Sequence, residues 1–295
     1  MQIKLKMFEI LKKQELAPSI FLMDIYAPRV ATSANPGQFV IVRVHEHGER
    51  IPLTIADYNE EKGSVTIVTQ TIGASTRQIC ALNEGERLLD FVGPLGVPSE
   101  LVHMSDEELK KLNILFIGGG VGTAPVYPQV KYLNARGIKA DVIIGAKSKH
   151  HLILQDQMKA AAGNLYVATD DGSVGFHGMV TGLLTDLVKN QGKKYDLIIT
   201  IGPMIMMKFV SKLTQELGIK TIASLNTLMV DGTGMCGACR VTVGGKTKFT
   251  CVDGPEFDAH EINFDEAMRR QGMYRGIEAK KLEEYDHKCK IGRHE

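Results

Sequence analysis

Three of the chain's five cysteines lie within 16 residues. Cys236 and Cys239 belong to the run Asp231-Gly-Thr-Gly-Met-Cys-Gly-Ala-Cys239, and Cys251 follows a short hairpin. A Cys-x2-Cys pair presents two thiolates from one tight loop, and Gly232, Gly234 and Gly237 let that loop curl with its amides turned inward. Soft thiolates held in fixed geometry suit a zinc ion or an iron–sulfur cluster. A four-ligand site asks for one more donor. Asp231 stands five residues before Cys236, so the pattern is Asp-x4-Cys-x2-Cys-x11-Cys. With a cysteine at Asp231 the spacing would be that of plant-type [2Fe–2S] loops. The same residues also suit a zinc knuckle or a hairpin of reduced cysteines. Asp253 and Cys289 are next in line to complete the ligand set.

A second chemical signal is Gly118-Gly119-Gly120-Val121-Gly122-Thr123, which follows an apolar run and opens a helical segment. Glycines there let a pyrophosphate approach backbone amides at a helix N-terminus, although a tight turn with close helix–strand packing has the same residues. The carboxylate that would select NAD after the next strand is missing, because Asp141 begins that strand. Lys147, Ser148 and Lys149 follow it and suit a 2′-phosphate. Thr169-Asp170-Asp171-Gly172 and Gly202-Pro203-Met204 fall at later strand ends, where open α/β sheets bind ligands. They also read as a helix cap and a methionine-filled core. Nearer the N-terminus, Arg50-Ile-Pro52-Leu53-Thr54 lies at a strand start, and Gly73-Ala-Ser75-Thr76 opens a helix. An arginine and a helix N-terminus can share one diphosphate.

Two kinds of element must position these groups. Residues 1–98 contain short strands at Ile20–Ile25, Gln38–Val44, Val65–Val68 and Arg87–Val92, with one helical segment at Ser75–Leu82. Short strands separated by turn signals predict a small antiparallel barrel. After a short helix at Asp106–Leu112, residues 99–222 alternate apolar strands with helices: Asn113–Ile117, Asp141–Gly145, Leu165–Ala168 and Asp196–Ile201 against Gln155–Ala161, Val180–Asn190 and Met204–Leu217. That alternation predicts a doubly wound parallel α/β domain. Residues 223–262 form the cysteine module, and 263–295 a charged, helical tail lying on the surface or on a partner. The fold class is thus β + α/β: an N-terminal antiparallel β-barrel, an α/β nucleotide-binding domain, then a small metal module.

A length of 295 residues allows two domains and an appendage, and a net charge of +1 points to neither nucleic acid nor membrane. Five cysteines with no signal peptide suggest a reducing, cytoplasmic setting rather than a disulfide framework.

Taken together, the motifs resemble the ferredoxin–NADP reductase superfamily. Its flavin motif is Arg-x-Tyr-Ser. Here Arg50 sits one place early, Leu53 stands for the flavin-stacking tyrosine, and Thr54 for the serine. Its second flavin motif, Gly-x-Gly-Thr in the branch most similar to this chain, reads Gly73-Ala-Ser75-Thr76, with the second glycine lost at Ser75. Gly93-Pro-Leu-Gly96, Gly118–Pro125, Thr169–Ser173 and Gly202–Met207 match well. That branch is the electron-transfer subunit of dihydroorotate dehydrogenase. With Asp231 at the first cysteine position, the chain resembles the small subunit of NADH-dependent reduced ferredoxin:NADP oxidoreductases, also called sulfide dehydrogenases.

This resemblance implies FAD in the barrel, NAD(H) in the α/β domain and one [2Fe–2S] cluster. Arg50, Pro52, Leu53, Thr54, Val68, Gln70, Gly73, Ser75 and Thr76 would contact FAD, with Thr54 nearest the reacting ring nitrogen. Gly119, Gly120, Gly122, Thr123, Ala124, Asp170, Gly202, Pro203 and Met204 would line the nucleotide cleft. Asp231, Cys236, Cys239 and Cys251 would hold the cluster. The implied partner is a large subunit with a second FAD, [4Fe–4S] clusters and the NADP(H) site, and through it ferredoxin, coupled by electron bifurcation. The alternatives are a dihydroorotate-oxidising partner or, in a different class, a non-enzymatic zinc-binding module.

Overall fold

The computed structural model describes residues 6–291, with side chains as far as His287. The side chain of Cys289 therefore lies outside the described residues. Six strands form the N-terminal sheet: β1 (Ile10–Ala17), β2 (Ile20–Tyr26), β3 (Phe39–Arg43), β4 (Ile51–Asn59), β5 (Ser64–Gln70) and β6 (Asp90–Leu95). They are antiparallel in the order β1-β2-β5-β4-β3-β6. The bridge Glu9↔Arg87, with Ile10 N–H donating to Glu86 O at 2.8 Å, draws the two edges together into a barrel. Met23, Ile25, Val40, Val42, Ile55 and Ile67 fill it.

One local expectation is corrected here, and one strand is added to those expected. The strand expected at Arg87–Val92 is observed at Asp90–Leu95, because Arg87 takes part in barrel closure and Leu88 turns into the core. β1 has no strand-like apolar alternation, and Lys12, Gln14 and Glu15 are exposed. Pairing with β2 makes it a strand.

The second sheet contains β7 (Ile114–Gly119), β8 (Asp141–Ala146), β9 (Leu165–Thr169), β10 (Phe176–His177), β11 (Leu197–Ile201) and β12 (Lys220–Ser224), all parallel. Its order is β10-β9-β8-β7-β11-β12, with a final antiparallel edge strand described below. The helices Thr123–Asn134 and Gln155–Ala161 cover one face. Val180–Thr185 and Met204–Leu217 cover the other. The helix expected through Asn190 changes at Asp186 into a wider π turn, and the one expected through Leu112 ends at Leu109. Strand order reverses between β7 and β11, the crevice where such sheets bind nucleotides.

β12 runs to Ser224, across the boundary expected at 222. Beyond it, β13 (Arg240–Val243) and β14 (Lys246–Phe249) make the hairpin of the cysteine module. The chain then returns as β15 (Glu256–Asp258), which pairs antiparallel with β12. The cysteine module is thus stitched to the α/β sheet at both ends. The tail forms the helices Phe264–Gln271 and Arg275–Ile291, and Asp286 pairs with Arg77 on the barrel helix Ala74–Ala81. No helix among the described residues is long and apolar enough to cross a membrane.

Candidate functional site

The cysteine loop is organised by its carboxylate. Asp231 accepts the N–H of Thr233 at 2.9 Å on one oxygen and the N–H of Cys236 at 2.7 Å on the other. These amides, Thr233 first, hold its carboxyl below the usual carboxylate range, so it is an anion beside the exposed Cys236. Cys239 and Cys251 are buried, with their sulfurs 3.3 Å apart. Burial, and then the Cys239 thiol, push the Cys251 thiol up. Two buried sulfurs this close become thiolates together only against a cationic centre.

The donors thus fall into two close pairs, Asp231 with Cys236 and Cys239 with Cys251. Among the described residues, no group of three or more His, Cys, Asp or Glu side chains gathers around one metal position. Paired donors fit a two-iron cluster, which takes ligands two per iron, better than a single zinc. Thr250 Oγ1 donates to Cys239 O at 2.9 Å, and Arg270 Nη2 donates to Ala238 O at 3.1 Å. Both brace the loop from outside it, and no local sequence signal announces either.

The loop packs directly on the barrel. Phe39 and Ile41 of β3 share an apolar cluster with Met229, Cys239 and Cys251. Gly232 has φ +75°, and a Cβ there would lie 2.9 Å from Leu95 and 3.0 Å from Ile41, so glycine lets the loop lie flat on β3 and β6. Phe39 pairs in register with Thr54 of β4. The half-buried Thr54 is therefore one strand away from the buried thiols. Phe39 was not singled out in the sequence, because an apolar residue in a barrel strand carries no local mark of its role.

The two flavin-type motifs converge although 18 residues lie between them. Ser75 Oγ donates to the Glu49 carboxylate, which brings the exposed Arg50 turn to the N-terminus of the helix Ala74–Ala81. Thr76 Oγ1 accepts the N–H groups of Ile72 and Gly73, each at 3.0 Å, so it caps its own helix. Pro52 and Leu53 lie half-buried on β4, and Gln70 closes β5. Val68 is buried in the apolar contact between barrel and α/β sheet, with Ala124 and Val121. These two candidates thus hold the modules together.

At the nucleotide turn the glycines divide their work. A Cβ on Gly122 would meet Ile201 O at 2.3 Å and Gly202 Cα at 2.6 Å, and one on Gly119 would meet Met206 Sδ at 2.3 Å. These glycines let the ends of β7 and β11 touch. Gly120, with φ +55°, has open space where its Cβ would be. Thr123 is buried in the helix start, Pro203 precedes the helix Met204–Leu217, and Met204 packs under the cysteine module. The exposed Asp170 donates its N–H to Ala146 O at 3.1 Å, which lays its loop beside the end of β8. The glycine turn thus meets the barrel at β4 and β5, and the cysteine loop meets it at β3 and β6. Thr227 Oγ1, just before the cysteine loop, is buried without a partner among the described residues, an unmet polar atom that sequence reading missed.

Residues 226–263 match the iron-sulfur cluster binding domain of dihydroorotate dehydrogenase B. The chain is 64% identical over 274 residues to an uncharacterised protein from the adh 3′ region of Clostridium beijerinckii, covering 93% of each. It is 45% identical over 267 residues to a homologue of the dihydroorotate dehydrogenase B (NAD(+)) electron transfer subunit from Thermotoga maritima, covering 90% of this chain and 91% of that one. Among solved structures, a chain of an NADH-dependent reduced ferredoxin-NADP oxidoreductase, studied for flavin-based electron bifurcation, superposes with a TM-score of 0.88 at 43% identity. That superposition covers 96% of this chain and 99% of the other.

Proposed function

Because the chain belongs to the family of dihydroorotate dehydrogenase B electron transfer subunits and their homologues, we propose that it is the small subunit of an NADH-dependent reduced ferredoxin:NADP oxidoreductase. FAD and NAD(H) with one [2Fe–2S] cluster would supply hydride transfer and its conversion into single-electron steps. The carrying observation is the position of Thr54 between two sites: β3 with Phe39 leads to the buried thiols, and β5 with Val68 leads to the glycine turn.

The protein's own task is positioning and exclusion of water, not proton transfer. Thr54 would offer its hydroxyl to the flavin ring, and Arg50 with the N-terminus of the helix Ala74–Ala81 would take the diphosphate. Gly120 admits the dinucleotide, and Gly202-Pro203 bounds the nicotinamide end. Asp231, Cys236, Cys239 and Cys251 hold the cluster, with Phe39 and Met229 keeping its inner side dry. A large flavin and iron–sulfur subunit with the NADP(H) site would receive the electrons and pass them towards ferredoxin. The similarity to the NADH-dependent reduced ferredoxin-NADP oxidoreductase chain supports this partner. The names of other relatives support a second reading, with a dihydroorotate-oxidising partner. What co-purifies with the native chain separates the two.

The test is anaerobic reduction of the isolated chain by NADH or NADPH, followed by visible and EPR spectra. NADH is expected to bleach the flavin and produce a reduced [2Fe–2S] signal, with NADPH slower. A chain still colourless after anaerobic reconstitution overturns the proposal.

A further inference from the structure

Two residues outside the family's flavin pattern face each other. Ser75 stands where the second glycine belongs, and Glu49 directly precedes the displaced Arg50. The Ser75 hydroxyl donates to the Glu49 carboxylate. The helix they meet on, Ala74–Ala81, begins with amides that have no intrahelical acceptor, and its dipole favours an anion at this end. Gly73 has open space in place of a Cβ, and Ile72 beside it is 70% exposed, so the approach is clear. Thr76 Oγ1 is occupied by the Ile72 and Gly73 amides. The anion tethered at this terminus is therefore Glu49.

Resting on the reading that the FAD diphosphate binds between Arg50 and this helix, we propose that Glu49, tethered by Ser75, is a built-in competitor of the diphosphate. Through Ser75 its carboxylate sits at the helix terminus that the diphosphate would occupy. FAD binds by turning it aside, and the Ser75–Glu49 contact thereby sets how tightly the chain holds its flavin. A glycine at position 75, as in the family pattern, would leave Glu49 untethered.

The test uses the full chain freed of flavin and titrated with FAD, followed by quenching of flavin fluorescence. Glu49→Gln is expected to tighten FAD binding by about three- to tenfold, the scale of one charge at a helix terminus opposing a second anion. Ser75→Ala is expected to tighten it less, and the double variant no more than Glu49→Gln, since both remove one contact. Glu49→Gln and Ser75→Ala chains that bind FAD no tighter than the parent overturn the proposal. Arg50→Gln tells which premise failed. If it weakens FAD binding while Glu49→Gln changes nothing, only the competitor role is lost. If neither variant changes the affinity, the placement of the diphosphate is lost as well.

Discussion

Asp231 is the residue on which the identity of the metal site turns. Both its oxygens hold amides of the loop it begins, so its negative charge is fixed beside Cys236 before any metal is considered. A carboxylate has lone pairs to spare for a metal after two such bonds. Asp231→Cys is expected to keep a [2Fe–2S] cluster and move its potential, measured by EPR-monitored redox titration. Asp231→Ala is expected to weaken the loop and change the EPR spectrum. An unaltered spectrum and potential in Asp231→Ala would show that it organises the loop without ligating, and would pass the role to Asp253. The cysteines could be read from spacing because loop ligands lie close in sequence. The pairing of Cys239 with Cys251 could not, since it depends on β13 and β14 bringing distant residues together.

Among the elements, the β7 turn and the end of β11 act as one unit. Gly122 is needed because Ile201 O occupies the space of a side chain. Gly122→Ala is expected to force the two strand ends apart and cost about 1–3 kcal/mol, the range of a local overpacking defect. NADH reduction should fall at least tenfold while flavin content stays intact, because the barrel is untouched. Rapid-mixing reduction kinetics on flavin-replete protein check this, and an unchanged rate would separate the turn from nucleotide binding. Strand and helix periods made β7, β8, β9 and β11 readable, since each is a continuous apolar run. β10, β12 and β15 were not anticipated: two or three residues carry no period, and Lys220–Ser224 follows its helix with hardly a break.

In the molecule as a whole, one buried carboxyl marks where the three modules join. Glu256 of β15 accepts Gln129 Nε2 at 2.7 Å, and Gln129 Oε1 accepts the hydroxyl of buried Ser99 at 3.2 Å. Val97 N–H donates to Gly254 O at 2.7 Å nearby, tying the barrel to the cysteine module. The other Glu256 oxygen is buried without a partner among the described residues. Desolvation, opposed by the Ser99 and Gln129 hydrogen bonds, raises the Glu256 carboxyl from 4.5 to about 7. A carboxyl raised on folding gives its full stability below its unfolded value, and that stability is lost as pH rises from about 4.5 through about 7. Glu256→Gln removes the loss while keeping the bond from Gln129. It is expected to be more stable than the parent at pH 8, by about 3 kcal/mol, with the gap closing towards pH 5. Denaturant unfolding across that range checks this, and a gap independent of pH would refute it.

Much of the chemistry lay in short runs of the chain. The thiolate spacing, the glycine turn after an apolar strand and the alternation of strand and helix each depend on residues a few positions apart, so the cysteine loop, the glycine turn and the fold class were legible. Contacts between distant segments were not. Phe39 becomes the neighbour of both Thr54 and the buried thiols only when β3 pairs with β4 and the cysteine loop settles on the barrel. Glu49 meets Ser75 within the barrel, and Glu256 meets Gln129 across a module boundary. Burial and register are properties of the folded chain, set by which distant surfaces exclude water together. They decide which of the glycines serve packing, which thiols resist ionisation, and which carboxyl is held near neutrality.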